Sequence, residues 1–159
     1  MANTLFLTLH AVAATVAFGA GLLSAASGRF LGVYRAAMAV MLAALVPAVL
    51  VDWGTTDTTA RAVFAGLIVL AGVMVARAEF AVRRSPALTG GPTAAYLEHI
   101  GFTLIALADG FAVVTLIRSG APGWAVGMVA VGVVVVGHLT LQTAKRRLVS
   151  PAGAAVAAG

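Results

Sequence analysis

Five side chains in this sequence carry chemistry that a hydrocarbon environment does not hold cheaply: His10, Glu98, His99, Asp109 and His138. Neutral imidazole ligates haem iron, zinc and copper, and carboxylates alternating with histidines can relay protons. Three of the five fall in one apolar stretch, "YLEHIGFTLIALADGF", Tyr96 to Phe111. A charge near a bilayer centre costs at least ~2.5–3.5 kcal/mol on insertion scales, so such a stretch needs partners for its polar groups. On a helix, Glu98 and Asp109 stand ~16 Å apart in depth and only about 20° apart around the axis, so they share one face.

The elements that position these groups are membrane helices. The chain is 62% hydrophobic and 9% charged, with a mean hydropathy of +1.07, whereas a soluble domain carries about 25% charged residues. The fold class expected is therefore all-α, a polytopic integral membrane bundle. About 20 apolar residues cross a hydrocarbon core. Five stretches qualify: Thr4–Ser24, Phe30–Val51, Thr59–Phe80, Ala94–Ile117 and Pro122–Ala144. Turn-forming residues separate them, in "SAASGR", "DWGTTDTT", "RRSPALTGGPT" and "RSGAPG". Pro122 suits the first turn of the fifth helix, and Pro47 is expected to kink the second. A single domain over 1–148 follows, with a small-residue tail at 149–159 expected to be disordered.

Basic residues orient the bundle. If all five stretches cross, Arg29, Arg35, Arg77, Arg83, Arg84, Lys145, Arg146 and Arg147 lie on one side, and only Arg61 and Arg118 on the other. Positive residues stay inside, so the N-terminus is expected outside and the C-terminus in the cytoplasm. A Gly-, Ala- and Val-rich chain without cysteine fits a bacterial plasma membrane. The first stretch reads as a span rather than a cleaved leader, because "MANT" lacks a basic residue and the apolar run is long.

Composition also excludes several classes. Without cysteine there is no disulfide, thiol redox centre or Cys-ligated metal. A pI near 11.2 does not indicate nucleic-acid binding here, since the cations sit at helix ends rather than on one polar face. The only lysine, Lys145, lies at a helix end, which excludes a mid-membrane Schiff base. No internal repeat supports an inverted-repeat transporter.

With the topology set, depths place His99, His138 and Glu98 in an inner layer and His10 and Asp109 in an outer one. His10 shares a stripe with Ala14, Ala17 and Gly21. His138 lies on nearly the same face as Gly127 of the Gly123/Gly127 pair, one turn before Gln142. Small residues line membrane helix interfaces, so both histidines are expected to face the bundle. A buried carboxylate at the depth of Asp109 is either protonated or paired, and His10 is its candidate partner.

Three functions fit this pattern. A haem b or divalent metal held by His10, His99 and His138, with Glu98 as a metal ligand beside the latter two, makes a redox-accessory protein. A structural or interaction subunit uses the same groups as hydrogen-bonding glue, alone, in a homo-oligomer or with a partner membrane protein. A small transporter or proton-conducting protein uses them as a relay, with water or the Thr103 hydroxyl bridging Glu98 and Asp109. Arg77, Glu79 and Arg83 read as interfacial anchors, and Trp53 and Trp124 as the outer aromatic belt.

The segment "LHAVAATVAFGAGLL", Leu9 to Leu23, resembles the first helix of small bacterial membrane proteins of the copper-resistance D and HemJ-type protoporphyrinogen oxidase kind. "SGRFLGVYRAAMAVMLAAL" is similar to multi-helix bacterial proteins with intramembrane histidines. The resemblance covers about a fifth of the chain and implies one role, His10 as a haem or metal ligand. The HemJ type is expected to carry a lysine in a later helix, which the third span here lacks, so porphyrin oxidation does not carry over.

Overall fold

The computed structural model describes residues 2–149. Among them are six helices and no strand: α1 (Ala2–Ser27), α2 (Leu31–Val51), α3 (Thr58–Arg83), α4 (Pro86–Thr89), α5 (Ala94–Arg118) and α6 (Gly123–Leu148). Five of them are long and apolar enough to cross a membrane, which makes this a multi-pass membrane protein; α4 is a single turn in the third connection. The expected tail lies, beyond Val149, outside the described residues.

The helices outrun the apolar stretches that announced them. Hydropathy registers the hydrocarbon-length segment, whereas backbone bonding continues into the basic flanks, through Arg83 in α3 and Arg147 in α6. Pro122 is the exception in the other direction. It stands one residue before α6, with an extended ψ of 148°, and its carbonyl accepts from the N–H groups of Ala125 and Val126. The helix α2 runs on through Pro47.

Four long helices close a ring: α1 packs on α2, α2 on α3, α3 on α5, and α5 back on α1. Small residues make this possible, because lipid offers no hydrophobic drive and close backbone approach must supply the contact energy. Ala13, Ala14, Ala17 and Ala20 of α1 are buried against Tyr34, Ala37, Met38 and Met41 of α2. The expected stripe through Ala14, Ala17 and Gly21 is thus an interface: a Cβ on Gly21 would lie 2.9 Å from Leu104 and 3.2 Å from Tyr34. The turn from α1 to α2 needs Gly28, whose φ is 69° and where an added Cβ would lie 2.9 Å from Pro86.

Two buried tyrosines lock the ring. Tyr34 donates its hydroxyl to Thr103, which donates in turn to the Ile100 carbonyl at 2.8 Å. Tyr96 donates to the Ser24 carbonyl at 2.6 Å. Both rings are fully buried, and both hydroxyls are satisfied. Thr103 is therefore committed to α2 and its own helix and does not bridge Glu98 and Asp109. That expectation is corrected.

Outside the ring stands α6, resting chiefly on α5, with none of its residues buried. The two run antiparallel, and their contacts step evenly along the seam. Lys145 meets Glu98, Leu141 fills the space over Gly101, and Ile105 fills the space over Gly137. Gly123 and Gly127 have open space where a Cβ would stand, so the GxxxG pair is not the packing surface. The working glycines are Gly101 and Gly137.

Candidate functional site

Because α6 touches α5 along one line of glycines, a groove opens on each flank of the seam. On the α1 side it is apolar, about 780 Å³, and lined by residues such as Leu104, Val133 and Val136. On the α3 side the groove is about 450 Å³ and holds Arg77, Glu98, Asp109, His138, Gln142 and Lys145 among aliphatic walls.

Helical spacing builds this second groove. On α5, Glu98, Phe102, Ala106 and Asp109 recur at turn spacing and form its floor. On α6, His138, Gln142 and Lys145 recur at i, i+4 and i+7 and form one wall. Arg77 reaches in from α3, with its guanidinium 4.4 Å from the centre of the Phe102 ring. Among the described residues no hydrogen bond or ion pair engages it, and Glu98 is coupled to it only through space.

The polar groups occupy successive depths. At the basic end the Lys145 ammonium meets the Glu98 carboxylate at 2.5 Å. Gln142 follows, its amide nitrogen donating to His138 Nε2 at 3.3 Å. That bond gives His138 an accepting Nε2 and leaves the proton on Nδ1. By the register of the seam, Asp109 lies about five residues deeper than His138, or ~7 Å. One of its oxygens, Oδ1, is buried and has no hydrogen-bond partner. No cation touches the carboxyl among the described residues.

The structure does not bring the expected ligands together. His10 donates from Nδ1 to the Met41 carbonyl of α2 at 3.0 Å. The expected pairing with Asp109 is not made: His10 is engaged by α2, and Asp109 Oδ1 has no hydrogen-bond partner among the described residues. On the same helices, Phe18 and Phe111 meet edge to face with centroids 6.0 Å apart.

His99 and Glu98, neighbours in sequence, diverge by about 100° around α5 and serve different helices. Glu98 faces α6. His99 stacks on Phe80 of α3 at 5.5 Å, accepts at Nε2 from the Arg84 guanidinium at 2.6 Å, and leaves Nδ1 buried without a partner. The seam also sets His138 about five residues deeper than His99, ~7 Å, rather than level with it. His138 is exposed at the groove's edge instead of facing the bundle, because its neighbour Gly137 takes the position against Ile105. Among the described residues, no three His, Asp or Glu side chains gather where one metal ion would touch them all.

Arg77 and Lys145 are what the sequence reading missed. Arg77 was read as an interfacial anchor and Lys145 only as a basic residue at a helix end, and both enter the groove. The i, i+4, i+7 spacing of His138, Gln142 and Lys145 was the available signal. At the same end, Glu79 does anchor: it takes Arg83 at 3.2 Å, as its spacing implied, and Arg35 of α2 at 3.5 Å. Set beside known proteins, the chain finds no match among family models, curated proteins or solved structures.

Proposed function

We propose that the protein is a small transporter of the plasma membrane, with its N-terminus outside, its C-terminus in the cytoplasm, and the α3/α5/α6 groove as the solute or proton path. The observation that carries the reading is the convergence of six polar side chains from three helices in one groove. By the α5–α6 register, five of them run from the basic end inward as Glu98 and Lys145, Gln142, His138, Asp109, and Arg77 joins from α3 against Phe102. Intramembrane ionisable groups are costly and concentrate along such paths. Orientation follows the basic residues, which the fold gathers at one end of the bundle through Arg35–Glu79 and Lys145–Glu98.

A path along the α6 wall avoids the long jump from Glu98 to Asp109. Gln142 and His138 are already in contact, and the remaining step to Asp109, ~7 Å, is one that a pair of waters spans. A haem or metal would find only one imidazole in this groove, His138, so the geometry favours movement of a solute over retention of a cofactor.

The test is flux in proteoliposomes carrying an internal pH dye. Wild-type protein is expected to dissipate an imposed proton gradient, Asp109→Asn to abolish this, and His138→Ala to slow it at least tenfold. His99→Ala, which lies outside the groove, leaves the flux unchanged. Equal flux from the wild type and Asp109→Asn sinks the reading.

A further inference from the structure

The polar groove holds two cations and two acids, of which only Lys145 and Glu98 meet. Among the described residues this leaves Arg77 and Asp109 unpaired at its two ends, in a way that a proton path alone does not account for. Glu98 is matched by Lys145 in direct contact. Arg77 then adds a second cation, lying on the face of Phe102, and among the described residues no acceptor takes its N–H donors. A guanidinium at a half-buried site is expected to find an anion, and its planar fork suits a carboxylate. At the other end of the same groove, Asp109 Oδ1 is a buried acceptor without a donor. Between the two run the aliphatic side chains of Leu70, Ile105, Ala106 and Val134. An anion site, an apolar run and a lone acceptor lie in sequence. A pocket of about 450 Å³ falls in the range of small-molecule sites.

We infer that the groove takes an organic monoanion with an apolar body: its anionic head sits on Arg77, and a hydrogen-bond donor at its far end meets Asp109, seven residues of α5 or ~10 Å away. The inference deepens the transport reading by naming its substrate class, and rests on that reading only in treating the ligand as cargo. A phospholipid headgroup offers the same anionic chemistry at Arg77 but carries no donor at the end of its acyl chain. The two sources are thus separable.

Binding to the full chain in phosphatidylcholine nanodiscs tests it without any gradient. The probes are 8-hydroxyoctanoate, octanoate and octylamine. The hydroxy acid is expected to bind at least fivefold more tightly than octanoate, and octylamine not to compete. Arg77→Gln is expected to weaken both acids at least tenfold, with Arg77→Lys recovering part of the loss. Asp109→Leu is expected to erase the preference for the hydroxy acid. Competition by octylamine equal to that of octanoate overturns the inference on wild-type protein alone, as does binding indifferent to Arg77→Gln in a folded variant. Displacement of both acids by adding phosphatidylglycerol to the nanodiscs assigns the cation to a lipid and overturns it too. Asp109-dependent proton flux without acid binding would leave the transport reading standing and remove this one; acid binding without flux does the reverse.

Discussion

Lys145 Nζ lies 2.5 Å from Glu98 Oε1, joining the last turns of α6 to the first turns of α5 across the mouth of the polar groove. This pair and the two glycine contacts hold a helix that buries no residue of its own. Glu98 is 55% exposed, so solvent screens the pair heavily. A double-mutant cycle with Glu98→Gln and Lys145→Met, read by thermal unfolding in detergent, should give a coupling energy no larger than about 1 kcal/mol. A coupling of several kcal/mol would mean that the pair is far less hydrated than its exposure implies.

Close packing, not charge, should dominate the α5–α6 seam. A Cβ on Gly137 would stand 2.6 Å from Ile105, whereas one on Gly127 meets nothing within 4 Å. Gly137→Ala is therefore expected to destabilise by about 1–3 kcal/mol through overpacking. Gly127→Ala should be neutral or stabilise by up to about 1 kcal/mol through helix propensity. Melting temperatures that move the same way in both variants would contradict the seam.

The buried tyrosines offer a cleaner measure of hydrogen bonding. Tyr34→Phe and Tyr96→Phe each delete one hydroxyl and little volume. Neither strands its partner: Thr103 keeps its bond to Ile100, and the Ser24 carbonyl keeps the Gly28 N–H at 2.7 Å. Each should cost about 0.5–1.5 kcal/mol in unfolding free energy, with near-additive effects in the double variant. A loss above about 3 kcal/mol in either would show that the hydroxyl does more than these bonds.

His10 is spent on the Met41 carbonyl of α2. His10→Ala should thus lower thermal stability by about 0.5–1.5 kcal/mol, the usual worth of one such bond, and leave proteoliposome flux intact. A Soret band in the purified protein that vanished with His10→Ala would instead restore the haem-ligand role implied by the resemblance of the first helix.

The sequence laid out much of this in advance, and the points where it failed share a cause. Glu98 and Asp109 were legible as one face, because helical periodicity is local. The small-residue stripe below His10 was legible for the same reason, and Ala17 is fully buried where it predicts. That His10 and Asp109 do not pair was not legible, since similar depth does not say which helix a side chain turns to; His10 is taken by the Met41 carbonyl of α2. His138 was misaimed because both neighbouring faces of α6 carry glycines, and spacing alone does not say which of them meets α5.

What the amino-acid sequence determined by itself is the solvent and the secondary structure: five apolar runs of spanning length, broken by turn residues, with eight of the ten cations at one set of ends. Both follow from transfer free energy and backbone bonding, which act residue by residue. What only the tertiary structure decided is company. The approach of α6 to Gly101, and of Ile105 to Gly137, rotates that helix so that His138, Gln142 and Lys145 share a groove with Arg77 and Asp109. Helix rotation and register are settled by steric fit between surfaces distant in sequence, and no window along the chain contains that information.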